Sequence, residues 1–166
     1  MTSTPLHIAI IPARGGSKGV PRKNLERVVA AAQRAGVELR VVGARGWGRV
    51  DVPGWVGRVS DEELAELYRG AGCAVYASLY EGFGLPVLEA MAAGTPVVTS
   101  AGGATEELAG GAAVLVDPTD VDAIAAGIRD ALARRDELVP RGLARASAFT
   151  WERAADELET LWRELA

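Results

Sequence analysis

Residues 73–99 read CAVYASLYEGFGLPVLEAMAAGTPVVT, and this stretch decides the fold. It opens on an apolar run at 73–77 and closes on a second at 96–99. Runs that are apolar on both faces suit strands buried in a parallel sheet rather than half-exposed antiparallel ones. Between them Gly82 and Gly84 bracket Phe83, and a helix is expected over 85–93. Working outward, 7–11, 39–42 and 113–116 repeat the short apolar pattern, and 55–58 reads as one more short strand. Helical patterns fill the intervals. Residues 24–35 put Leu25, Val28, Val29 and Ala32 on one face, and 61–70, 105–109 and 121–134 follow the same logic. Ser60 stands three residues before Glu63, the spacing of a capping box, and Thr119 or Asp120 is placed to cap the helix at 121. Residues 138–148 and 152–165 are two further helices with no strand between them.

Strand and helix in alternation predict an α/β domain: a doubly wound, parallel, Rossmann-like sheet flanked by helices, with 1–166 forming one domain. Such a sheet receives ligands at the carboxyl ends of its strands, where strand order reverses. Residues 43–57, rich in Gly, Trp and Arg, read as a loop with a turn at Pro53-Gly54. In the last helix Trp151, Leu158, Leu161, Trp162 and Leu165 form an amphipathic stripe expected to pack on the chain's own sheet. In a two-domain parent it would instead reach across to the partner domain.

Bulk properties narrow the function classes. The 166 residues suit one domain, and 49% hydrophobic with 24% charged is an ordinary globular composition. A net charge of −4 gives no general attraction to nucleic acid or to an anionic membrane, so an anionic ligand needs a local basic patch. The single cysteine, Cys73, excludes an internal disulfide framework and is expected in the core. No run approaches the roughly 18–20 apolar residues of a membrane span, and no signal peptide is visible, so a cytoplasmic location is expected. His7, the only histidine, precedes a strand and is expected to be structural.

The chemistry concentrates in 80–98. Glycines at a strand-to-helix turn allow close backbone approach, and the first helical N–H groups lack intrahelical partners, which together suit an oxyanion. A tight turn also needs glycine for purely structural reasons. Glu81 lies in the turn, and Glu89 lies inside a helix whose neighbours are apolar. Glu89 either points into solvent or meets a ligand, because burying it unpaired is costly. Vicinal hydroxyls of a sugar or ribose would suit both carboxylates.

The Glu81-x7-Glu89 spacing, with Gly-Phe-Gly-Leu-Pro inside it and Ala-Gly-Thr-Pro-Val-Val after it, resembles the signature of family 4 retaining glycosyltransferases of the GT-B type. The likeness runs on through Gly102-Gly103, Glu106 and the Val-Leu-Val-Asp-Pro at 114–118, and back to Arg22-Lys23-Asn24-Leu25. It covers roughly residues 22–165. The resemblance implies the donor-binding half of a two-domain enzyme that transfers a hexose from a UDP- or GDP-sugar, its acceptor-binding domain missing. Glu81 would contact the donor sugar near an oxocarbenium-like centre, and Glu89 would hold the ribose hydroxyls. Backbone amides around Phe83, Gly84 and Leu85 would face the donor, and Lys23 would neutralise phosphate charge on the leaving group. Arg22 and Gly103 join the substrate-binding positions. No metal or other cofactor is implied, the cations taking that electrostatic task. Glu106 is expected to be an ordinary acid of a helix N-terminus.

Residues 8–25, IAIIPARGGSKGVPRKNL, depart from that pattern. They resemble the opening motif of N-acylneuraminate cytidylyltransferases, which suggests a hybrid chain. Arg14, Lys18, Arg22 and Lys23 stand among Gly15, Gly16 and Gly19, where a doubly wound fold receives phosphate, and Arg14 is the stand-in for the glycosyltransferase arginine. A flexible solvated loop is the plainer alternative. The competing functions are then a donor-binding enzyme domain, a nucleotide-binding scaffold without chemistry, a fold with a blocked phosphate site, and cytidylyl transfer. A loose homodimer through the C-terminal helix is a further expectation.

Overall fold

The computed structural model describes residues 7–10, 21–43, 52 and 54–165, with the backbone alone at 7–10 and 21–23. Six strands form one sheet: β1 (His7–Ile10), β2 (Glu38–Val42), β3 (Trp55–Gly57), β4 (Cys73–Tyr76), β5 (Val97–Ser100) and β6 (Val114–Val116). Their spatial order is β3-β2-β1-β4-β5-β6, and each neighbouring pair is parallel. The helices are α1 (Pro21–Ala35), α2 (Asp61–Gly70), α3 (Leu85–Ala92), α4 (Ala104–Ala109), α5 (Val121–Ala133), α6 (Arg135–Ser147) and α7 (Trp151–Leu165). The doubly wound Rossmann-like sheet expected from the sequence is the observed fold.

The chain leaves β1 toward β2 and β3, then returns past β1 to build β4, β5 and β6. Right-handed crossovers in opposite directions put their helices on opposite faces. One core therefore joins Val28, Ala31 and Ala32 of α1 to Ile124 and Ile128 of α5, and the other joins Tyr68 of α2 to Val87 and Met91 of α3 and Leu108 of α4. Buried β4 divides its side chains between them: Cys73 and Val75 enter the first core, Ala74 and Tyr76 the second. Strand order reverses between β1 and β4, so their carboxyl ends form the crevice.

Local signals set the helix boundaries. The capping box at α2 is complete: Ser60 Oγ accepts from the Glu63 N–H at 3.2 Å, and Glu63 Oε2 accepts from the Ser60 N–H at 2.8 Å. Ser60→Ala is expected to cost about 1 kcal/mol, seen as a fall of roughly 2–4 °C in Tm. At α5 it is Asp120 that caps, accepting from the Asp122 and Ala123 N–H groups at 2.8 and 3.2 Å. Helix α1 starts at Pro21 rather than Asn24. Proline suits a first helical position, where its missing N–H has no intrahelical bond to lose. Cys73 is fully buried, and burial pushes its thiol up to about 12. The native chain is expected to resist thiol reagents at mildly alkaline pH and to react only when unfolded. Rapid native labelling would show that β4 opens.

The C-terminal helix corrects an expectation. Helix α7 does not pack on the sheet: all of Trp151–Leu165 is exposed, Trp151 at 83% and Trp162 at 74%. Both sheet faces are already covered, one by α1 and α5 and the other by α2, α3 and α4, which leaves no apolar surface for a further helix. Among the described residues no helix is long and apolar enough to cross a membrane.

Candidate functional site

The turn after β4 is held at its base by side chains that continue the strand pairing. Ser100 Oγ, at the end of β5, donates to the Ser78 carbonyl at 2.6 Å and accepts from the Ser78 N–H at 2.8 Å. Thr99 Oγ1 donates to the Tyr76 carbonyl at 2.9 Å. From this anchored base residues 81–84 turn into α3. Gly84 sits at φ 99°, ψ 40°, a left-handed conformation that strains any L side chain. A Cβ there would also stand 2.9 Å from Thr105 Cγ2 of α4. Glycine is thus required by conformation and by close approach. No side chain among the described residues caps α3, which leaves the positive end of its helix dipole without a capping acceptor. The Tyr68 hydroxyl donates to the Pro86 carbonyl at 3.4 Å and braces this first turn from α2.

The two sequence-predicted carboxylates flank this turn. Glu81 is half-buried, and its Oε1 is fully buried without a hydrogen-bond partner among the described residues. Burial first, then the neighbouring Glu81 carboxylate and the charge of Glu89, hold the phenol of Tyr76, at the end of β4, far above its ordinary range. Glu89 is exposed on α3. Its charge, after burial, also raises the Tyr68 phenol, so Glu81, Glu89, Tyr76 and Tyr68 form one electrostatic group.

The remaining expected residues divide. Phe83 is 49% exposed and meets Phe149 edge-to-face, ring centroids 6.4 Å apart, so the turn touches the segment between α6 and α7. Arg145 lies 4.7 Å from the centre of the Phe149 ring and donates to the Leu108 and Glu107 carbonyls at the end of α4. Leu85 is 48% exposed at the first position of α3. Gly103 begins α4 at φ 85° beside Gly102, both exposed and with open space where a Cβ would stand. Glu106 accepts a hydrogen bond from the Gly102 N–H, the structural role expected of it. The backbone of Arg22 and Lys23 occupies the first turn of α1; their side chains lie outside the described residues. So do Arg14, the rest of the basic glycine-rich loop at 11–20 and the His7 side chain.

Sequence reasoning missed Tyr76 and Arg27. Tyr76 was legible as the one hydroxyl in the run CAVYA, at the carboxyl end of its strand. Arg27 stands one turn beyond Lys23, and its Nη1 is buried without a hydrogen-bond partner among the described residues, as is Asn24 Oδ1. Both residues lie in the opening turns of α1. Buried polar atoms are rarely left unpaired, so each such atom calls for an explanation, a bound ligand among them.

The comparisons agree with this geometry. The family profile "Glycosyl transferases group 1" matches residues 17–142. O-antigen chain mannosyltransferase B of Escherichia coli is 42% identical over 153 residues, covering 80% of this chain and 40% of its own length. A D-inositol 3-phosphate glycosyltransferase of Geodermatophilus obscurus is 45% identical over 117 residues, 69% of this chain and 26% of its own. Among solved structures, sucrose-phosphate synthase of Thermosynechococcus elongatus superposes with a TM-score of 0.79 at 31% identity, over 96% of this chain and 45% of that one. HepE of Anabaena, solved with UDP and glucose, shares the fold at a TM-score of 0.74 and 18% identity, over 94% of this chain and 49% of that one. The chain thus spans less than half the length of these relatives. With that match over most of its length and the glycine turn, the two carboxylates and the doubly wound sheet in place, the chain belongs to the group 1 glycosyl transferases.

Proposed function

We propose that the chain is the donor-binding domain of a retaining glycosyltransferase that transfers a hexose from a UDP- or GDP-sugar, with the acceptor bound by a domain outside these residues. The observation that carries this is the buried, unpartnered Glu81 Oε1 in the turn that opens α3, on the same helix as exposed Glu89. Glu89 takes the ribose hydroxyls and the N–H groups of Phe83–Leu85 face the diphosphate. Glu81 accepts from the sugar, near the carbon where positive charge develops as the bond to phosphate breaks. Lys23, with Arg22 and Arg14 near it in the chain, neutralises the departing diphosphate, so the reading requires no metal. The 8–25 segment, similar to the cytidylyltransferase opening, serves here as a phosphate-contacting loop in a hybrid chain. A single buried thiol is compatible with a cytoplasmic setting.

Calorimetric titration with UDP, GDP and CTP tests the proposal. Binding of UDP or GDP in the micromolar to millimolar range supports it, and no binding by a folded chain defeats it. Strong preference for CTP would favour cytidylyl transfer instead. The second reading is a nucleotide-binding scaffold without chemistry. Slow hydrolysis of the nucleotide sugar, abolished by Lys23→Ala, separates enzyme from scaffold. The uncovered stripe of α7 is expected to give the isolated chain a weak self-association. A monomeric mass by light scattering at high concentration counts against that.

A further inference from the structure

The turn that opens α3 is seated from two sides, and both seats trace back to α4. On one side Gly84 lies against α4: a Cβ there would stand 2.9 Å from Thr105 Cγ2 and 3.6 Å from Leu108 Cδ2. On the other, the Phe83 ring meets Phe149 edge-to-face, centroids 6.4 Å apart. Phe149 follows α6 and is itself held by Arg145, whose guanidinium lies 4.7 Å from the ring centre. The same guanidinium donates from Nε to the Leu108 carbonyl at 2.8 Å and from Nη2 to the Glu107 carbonyl at 2.9 Å. These carbonyls belong to the last turn of α4, where a helix leaves them without intrahelical partners. Gly110, left-handed at φ 54° just past α4, makes room for the guanidinium, since a Cβ there would stand 2.7 Å from Arg145 Nε. The contacts close a ring: α4 to Gly84, Gly84 to Phe83, Phe83 to Phe149, Phe149 to Arg145, and Arg145 back to α4.

Glycines on both sides of Phe83 give the turn little backbone stiffness of its own, so the Phe83 ring is where the fold takes hold of it. An edge-to-face pair and a cation over a ring fix orientation as well as contact. We infer that Arg145 and Phe149 are positioning residues, which fix Phe83 and with it the backbone N–H groups of Phe83–Leu85 for the diphosphate of the donor. The inference rests on the proposed reading that this turn faces the diphosphate. It divides the donor in two. Glu89 governs the nucleoside, whereas the Arg145–Phe149 pair governs what the second phosphate adds. A merely structural role, as a cap of α4, would lower the unfolding midpoint and leave that increment unchanged.

The test titrates the chain with a nucleoside monophosphate and its diphosphate, UMP against UDP or GMP against GDP. The chains are wild type, Phe149→Ala, Phe149→Tyr, Arg145→Met and the double variant of Phe149→Ala with Arg145→Met. Phe149→Ala is expected to leave monophosphate affinity within about twofold and to cut the affinity added by the second phosphate about tenfold, the effect of one charge-assisted hydrogen bond. Phe149→Tyr keeps the ring and is expected to bind as wild type does. Arg145→Met is expected to lower the unfolding midpoint, because it uncaps α4, and to match Phe149→Ala in binding. The double variant is expected to lose no more than Phe149→Ala alone, because both changes break one ring of contacts. Unfolding midpoints verify that each chain is folded, and the two Phe149 variants decide the matter even where Arg145→Met fails to fold. A second-phosphate increment untouched by Phe149→Ala, or monophosphate and diphosphate affinities that fall together, would overturn the inference while the donor-site reading stands. A folded wild type that binds no nucleotide, or gains nothing from the second phosphate, overturns the reading of the turn and the inference together.

Discussion

Replacing Glu89 with alanine is expected to weaken nucleotide binding about a hundredfold while leaving the fold intact. The direction follows from what a carboxylate does for a ribose. Each hydroxyl donates to a charged acceptor, and such bonds contribute about 1.5–3 kcal/mol apiece, so two together reach about 3 kcal/mol or more. At roughly 1.4 kcal/mol per factor of ten, that is about two orders of magnitude. The fold should tolerate the change because Glu89 is exposed and alanine is the better helix former. Its neighbours Val87, Ala90 and Met91 face the core and are untouched. Calorimetry on both chains, with thermal unfolding as control, checks it. A variant that unfolds at the wild-type temperature and binds equally well would return Glu89 to an ordinary solvent-facing acid.

The second large effect reverses the usual sign of a helix substitution. Glycine to alanine inside a helix ordinarily stabilises by about 1 kcal/mol. At Gly127, in α5, it is expected to destabilise, by about 1–3 kcal/mol. A Cβ built there would stand 2.5 Å from Val116 Cγ1 and 3.2 Å from Val98 Cγ1, side chains of β6 and β5. Both valines are buried and their branched side chains have little freedom to withdraw. The fall in Tm should be several degrees. Gly142 in α6 is the internal control. Its added Cβ would meet Met91 Cγ at 3.2 Å, and methionine is unbranched enough to yield, so Gly142→Ala should be nearly neutral. Equal behaviour of the two variants in thermal unfolding would show that α5 does not sit as close to the sheet as described.

Much of this molecule was legible in its residues because the relevant forces are local or periodic. A strand buried on both faces must be apolar along its length, so Cys73–Tyr76 and Val97–Ser100 announced themselves, and with them the parallel sheet. Ser60 and Glu63 form a capping box because four consecutive residues contain all its donors and acceptors. Glycines at a strand-to-helix turn and the two carboxylates of 81–89 marked the candidate site for the same reason, and the likeness to glycosyltransferases that those residues carry agrees with the group 1 profile match.

What the sequence could not decide depends on which distant surfaces meet. The amphipathic stripe of α7 was readable, but whether the sheet had a face left for it was not; α1 and α5 fill one side and α2, α3 and α4 the other. That Gly127 is required by closeness rather than by turn geometry emerges only when α5 lies against Val98 and Val116. Periodicity fixes which way a side chain points along its own element, whereas only packing fixes what it finds there.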